Sequence, residues 1–355
     1  MFLNSDDIES IKSRLVAGEE PWKSAFDSLM SDADRALLDT AIYSVTRTVP
    51  SKESGYFLND FVTERPYTKS DGVIDPDVDR RDYQAAIALS KAVRDLGLAY
   101  AYTGVAKYAS RAIERIHSWC INPETRMRPH FTNHQSKIEL CITIPGILYG
   151  ADLVYNSLLW DPMERGAFLQ WVDTFATNAT QWTEKNNYDN WRIVLVAAAG
   201  ALLDNDALLQ HAFERYKSNV NQMIAGDPAP KGYLSGELPA ERRRTKSLFY
   251  SLYALNAMTL TAEIALHRSS ESLYDFIGSD EKSLKLALDY HASYAANPET
   301  WPYQQIDDFK GENCAMFELA YSQWKTTGFK AVIDQWGRPM YEERIMGPTT
   351  LTHSR

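Results

Sequence analysis

Three short segments hold side chains able to move a proton or grip an anion. The first runs Arg126-Met-Arg-Pro-His-Phe-Thr-Asn-His-Gln-Ser-Lys137. Asn133, His134 and Gln135 can donate hydrogen bonds to a sugar carboxylate, and they suit ordinary capping and loop bonding equally. His130 and His134 stand four apart, but no glutamate separates them as on a zinc-protease helix and Pro129 opposes helix there, so no metal is expected. The second, Glu184-Lys-Asn-Asn-Tyr-Asp-Asn-Trp-Arg192, precedes the apolar run Ile193–Leu203. Its asparagines and Trp191 can cap and staple a helix start, and amides beside Arg192 at a helix amino end also suit an anion. The third contains Glu241-Arg-Arg-Arg-Thr-Lys246 followed by Tyr250 and Tyr253. A helix beginning near Glu241 puts Arg243 seven residues before Tyr250 and lines up Lys246, Tyr250 and Tyr253 on one face. A guanidinium beside a phenol favours loss of the phenol's proton, as a phenolic base requires. The same tyrosines also read as core packing in a chain with 20 of them.

The elements that must position these groups are helical nearly throughout. Ile8, Ile11 and Leu15 recur at helical spacing after Ser5–Asp6, a cap, and Pro21 opens a second helix. Hairpins then follow in succession: 83–102 with 107–120, 137–156 with 162–183, 188–203 with 206–224, 244–267 with 282–296, and 313–325 with 330–336. No repeat and no sustained alternation suggests a sheet domain. Residues from about 44 to 80 are polar and aromatic-dotted, a long excursion of the kind that is usually functional or disordered. Antiparallel helix pairs in series stack into a solenoid or close into an α/α toroid. Polar groups gathered in several inter-helix loops, Trp301-Pro302-Tyr303-Gln304-Gln305 among them, point to a cleft across one end of a toroid.

Composition agrees with a folded globule: 355 residues, 45% hydrophobic and 24% charged. No run approaches the roughly 20 apolar residues of a membrane span, so no membrane partner is expected. Cys120, Cys141 and Cys314 show no CxxC spacing and read as buried thiols. The net charge of −10 hides two islands of +3, at 126–137 and at 231–250. An acidic body argues against nucleic acid, whereas local basic islands suit a polyanion held at one place or a solvated helix start. Met1–Asp7 lacks a secretory pattern. The expected location is cytoplasmic if the chain is complete as given, and periplasmic or secreted if a signal has been removed.

Together the three segments resemble the alginate-lyase-like polysaccharide lyases, families five and thirty-eight in particular. The likeness runs from Glu19-Glu-Pro-Trp-Lys-Ser-Ala-Phe26 through Ala101-Tyr-Thr-Gly104 and the paired asparagines to Arg244-Thr-Lys-Ser-Leu-Phe-Tyr250. It implies an all-α fold, an incomplete α/α toroid, with no cofactor and an anionic polysaccharide as partner. The whole chain, 1–355, is expected to be one catalytic domain with the loop at about 44–80 and a carboxyl-terminal extension at about 337–355. The family's Asn-Asn-His run stands here as Asn186-Asn187-Tyr188, with Trp191 near the expected tryptophan; the histidine is missing. By resemblance Tyr250 matches the catalytic tyrosine, while Asn187, Gln135 and Arg244, preferred to Arg243, neutralise a uronate carboxylate. His134 is a further base or a neutral donor, and Tyr188 fills the vacated place. Asn133, Asn186, Lys137, Arg243, Trp191 and Tyr303 complete the expected substrate contacts.

The chemistry so implied is β-elimination. A base takes the C5 proton of a uronate, an acid protonates the O4 leaving group, and a C4–C5 double bond remains. Donors aimed at the carboxylate stabilise the developing charge by about 3–4 kcal/mol each, and a positioned proton-transfer group adds roughly 10²–10⁴-fold. In glucuronate and mannuronate both groups leave from one face, so a single tyrosine can act as base and then acid, which favours these uronates over guluronate. A glycoside hydrolase on the same toroid would need paired carboxylates, for which Asp189, Glu237 and Asp308 are candidates. A non-catalytic helical-repeat binding protein would use the tyrosine and arginine face for packing.

Overall fold

The computed structural model describes residues 1–41, 43–45, 59–63, 67–129 and 134–354. Fourteen helices are found among them: α1 Ser5–Val16, α2 Trp22–Leu38, α3 Arg81–Thr103, α4 Ala106–Ile116, α5 His134–Val154, α6 Pro162–Thr180, α7 Asn186–Leu203, α8 Asp206–Met223, α9 Pro239–Arg242, α10 Ser247–Arg268, α11 Leu284–Ala296, α12 Met316–Trp324, α13 Thr327–Trp336 and α14 Thr349–His353. A hairpin of β1, Thr68–Ser70, and β2, Val73–Ile74, is the small sheet the sequence pattern did not announce. Helix α1 is capped by Asn4, in a capping box with Asp7, and not by Ser5–Asp6.

Two kinds of helix make an α/α toroid. Helices α5, α7 and α10 are buried on nearly every side and lie in the inner layer, while α4 buries one stripe, Tyr108, Ala109, Ala112, Ile113 and Ile116, as an outer helix does. Helices α3, α5, α7, α10 and α12 neighbour one another in that order, with α2, α4, α6, α8, α11 and α13 packed outside. Gly97 and Gly150 let α3 and α5 approach closely: a Cβ on Gly97 would lie 2.8 Å from the Gly150 carbonyl oxygen. Buried apolar side chains form one cluster from Met1 to Leu351. All three cysteines are buried thiols, and no described helix is long and apolar enough to cross a membrane.

The carboxyl-terminal segment bridges the gap between the last inner helix and the first pair, because α14 packs on α12, α2 and α1. Glu342 anchors it by accepting from the Asn256 amide and from the backbone N–H of Ile345 and Met346. His353 lies 3.1 Å from the Glu263 carboxylate of α10.

The basic stretch departs from expectation. The helix does not begin near Glu241; α9 ends at Arg242 and α10 starts at Ser247. Between them the backbone bonds elsewhere, the Ser247 N–H donating to Gln304 O and the Ile306 N–H to Thr245 O. Arg243 and Lys246 therefore do not share a helix face with Tyr250.

Candidate active site

The first turns of α5, α7 and α10 and the start of α3 face one cavity of about 530 Å³, a size typical of ligand sites. It is lined by Gln135 and Glu139 from α5, Asn187 and Tyr188 from α7, Tyr250 and Tyr253 from α10, and Arg80 and Tyr83 from α3 and its approach. Four helices thus turn their positive ends toward the same space, which favours an anion there. The β1–β2 hairpin closes over one side with Tyr67, Asp71 and Gly72.

Freed from a helix, Arg244 folds back on Tyr250, its guanidinium carbon 3.9 Å from the ring centroid. Its Nε lies 2.8 Å from Asp71 Oδ1. Asp71 also accepts from the Thr245 N–H, so the hairpin tip is tied to the α9–α10 break. Burial works to raise the Asp71 carboxyl, but the hydrogen bonds from Arg244 and Thr245 outweigh it and hold it at about 2. For Tyr250 the balance goes the other way. Burial raises the phenol by more than Arg244 lowers it, so the unliganded protein keeps Tyr250 protonated at neutral pH, contrary to the proton loss its neighbours suggested. Asn187 is 1% exposed and held by Glu241, whose Oε1 accepts from both its backbone N–H (3.1 Å) and its side-chain amide (2.9 Å).

On the facing side His134 stacks on Tyr188, centroids 4.6 Å apart and planes 4° from parallel. The Tyr188 hydroxyl donates to Gln135 Oε1 at 3.2 Å, and Gln135 Nε2 donates to Glu139 Oε1 at 3.3 Å. Burial pushes the Tyr188 phenol up to about 12 and the Glu139 carboxyl up to about 7, the latter against hydrogen bonds from Thr63 and Gln135. Arg344, from the carboxyl-terminal segment, reaches the cavity with its guanidinium 4.8 Å from the Tyr253 ring and, among the described residues, no carboxylate within ion-pair distance.

Of the residues expected at the site, Tyr250, Asn187, Arg244, His134, Gln135 and Tyr188 line this cavity. Trp191 does not: it is fully buried in α7 against Tyr253, where no sugar can reach it. Arg243 is exposed and Asn186, at the exposed start of α7, also lies off the cavity lining. Lys137 stacks over Trp182 instead. Tyr303 turns to Glu237 and Arg242, and Trp301 is buried with its N–H on Ser247, so Gln305 alone of that run lines the cavity. Asn133 and His130 lie outside the described residues. Of the hydrolase candidates, Asp189 is buried among Arg192, Arg215 and Asn219, and Glu237 sits with Tyr290 and Arg242; only Asp308 lines the cavity.

Asp71, Arg80, Glu139 and Arg344 are site residues the motifs missed. Glu139 carried a signal, being the lone acid in the apolar stretch Ile138–Ile144. Arg80 and Arg344 carried none, since their neighbours at the cavity come from distant elements.

Comparison with known proteins bears on this geometry. The alginate lyase family model matches residues 27–301. An alginate lyase from Bacteroides ovatus superposes with a TM-score of 0.81 at 23% identity, covering 97% of this chain and 96% of that one. Alginate lyase A1-III from Sphingomonas species A1 gives 0.72 at 18%, covering 98% and 94%. A variant of A1-III complexed with a tetrasaccharide gives the same values. No curated protein matches.

Proposed function

The chain belongs to the alginate lyase family and is a polysaccharide lyase, and on that premise we propose that it cleaves a 1,4-linked polyuronate, glucuronan or mannuronate-rich alginate, by β-elimination at the cavity described. The observation that carries this reading is the Arg244 guanidinium stacked 3.9 Å over the Tyr250 ring in a cavity that Asn187 also lines. Tyr250 is the acid and base. Asn187, Arg244 and Gln135 meet the uronate carboxylate, which competes with Asp71 for the guanidinium, and His134 adds a donor. Such fixed donors stabilise the charge that develops when the C5 proton leaves, and Glu241 keeps the Asn187 amide in place for it.

Because burial keeps Tyr250 protonated, its work as base is confined to the small phenolate fraction until the pH is high. Activity is expected to rise with pH from neutrality upward, tenfold per unit while Tyr250 remains mostly protonated. Once the C5 proton has passed to Tyr250, the same phenol stands ready to protonate O4 on that face.

The test is ultraviolet absorbance of the C4–C5 double bond, with glucuronan, polymannuronate and polyguluronate offered separately and no metal added. A rise with glucuronan or polymannuronate is expected, and none with polyguluronate. Tyr250→Phe should abolish turnover while oligouronate binding persists; a fully active Tyr250→Phe enzyme, or new reducing ends without absorbance, would overturn the reading.

A further inference from the structure

Glu139 has no part in the chemistry so far assigned, yet it is an acid 1% exposed at the cavity wall. It stands at the root of a chain of contacts that ends beside the reacting face: Glu139 to Gln135, Gln135 to Tyr188, and Tyr188 stacked on His134. An amide has a donor end and an acceptor end, so whichever end Glu139 engages decides what the other presents. We propose that Glu139 is a positioning residue for the elimination, which as a carboxylate takes a Gln135 amide hydrogen and so turns the amide oxygen to the Tyr188 hydroxyl, fixing the Tyr188 and His134 rings as the wall against which the sugar is seated. Protonated Glu139 competes as a donor, the amide loses its single orientation, and Tyr188 loses its acceptor.

The surroundings set where this switch operates. Thr63 donates to Glu139 from the 59–63 segment; Arg80 and Asp82 face it from the start of α3, favouring and opposing its charge; Tyr67, Tyr83 and Tyr188 add phenols that stay neutral. Burial outweighs the rest and brings the carboxyl to about 7. The two orientations therefore exchange close to neutrality, well below the titration of Tyr250.

The inference rests on the lyase reading for its readout, and the two fail differently. On whichever uronate proves to be the substrate, kcat of the wild-type enzyme should show a step of roughly fivefold to tenfold centred near pH 7, the rate equivalent of one hydrogen bond. This step is superposed on the steady climb due to Tyr250. Glu139→Gln, which can still accept from Gln135 but cannot titrate, should lose the step and keep the climb. Tyr188→Phe should also lose the step, with kcat lowered more than KM is raised. A step that persists unchanged in a folded Glu139→Gln enzyme, or in Tyr188→Phe, would overturn the proposal while leaving the lyase reading intact. Absence of double-bond absorbance from the wild-type enzyme on every uronate would instead overturn the lyase reading, and the circular dichroism of each variant separates misfolding from either result.

Discussion

Glu139 stores a cost that its replacement should reveal in stability. Its folded carboxyl holds a proton up to about pH 7, whereas the unfolded one gives it up near the ordinary glutamate value of 4.5. Between those values the folded state binds more protons, so stability falls as pH rises through the window. Glu139→Gln should therefore gain on the wild type by about 3 kcal/mol between pH 4 and pH 8, read from urea midpoints at the two pH values. Asn187 makes the opposite case. Removing its amide in Asn187→Ala strips Glu241 of a donor while that carboxylate stays 2% exposed, so a loss of about 1–3 kcal/mol is expected in thermal or chemical melts. Activity should fall further than the melt explains, by about 10²–10³-fold in kcat if the amide stabilises developing charge.

At the scale of elements, Asp71 ties the hairpin turn to the α9–α10 break. Asp71 holds Arg244 and Thr245 from the β1–β2 turn, where Gly72 has φ +73° and no room for a side chain: a Cβ would meet Thr245 Oγ1 at 2.7 Å. Asp71→Ala should loosen the hairpin and free Arg244, visible as faster amide exchange over residues 67–75 and a raised KM with oligouronates. An unchanged exchange pattern would show that the strands hold without the tie. The helices themselves were legible because burial imprints a 3.6-residue period, and most expected spans stand within a few residues of those found. The α9–α10 break was not legible. Apart from Thr245, residues 242–246 are sound helix formers, and it is Asp71 of the hairpin and the Gln304–Ile306 stretch of loop, both far off in sequence, that take their backbone bonds away. For the same reason Arg243 left the face expected of it, whereas Lys246, Tyr250 and Tyr253 still line one cavity and Arg244 reached Tyr250 by a turn that spacing alone could not describe. Trp191 was legible as an aromatic but not as a buried one, since an inner helix is apolar all round and hides which side faces the cavity.

At the scale of the whole molecule, ring closure concentrates on the last stretch of chain. Gly347 has φ +73° and lies against Arg94, so that a Cβ would come within 2.5 Å of the Arg94 Nε. Arg94 is itself fully buried on α3, bonded to Asp95 and to the Tyr341 hydroxyl. Gly347→Ala is expected to cost about 1–3 kcal/mol through strain in the left-handed region and displacement of this arginine, measured as a lowered unfolding midpoint. A midpoint equal to wild type would mean the seam can shift without loss. Arg344 lies three residues before this glycine, so strain at the seam should also reach the cavity.

That seam also sets an order in time. Arg344 is synthesised about a hundred residues after Tyr250, roughly 5–20 s later at ordinary elongation rates. Through that interval a nascent chain can carry Tyr250 and Asn187 yet lack Arg344, the cation that joins them at the cavity from the far end of the polypeptide. The cavity wall thus stays incomplete while the chain is being made, and a cut ahead of Arg344 would return it to that unfinished state.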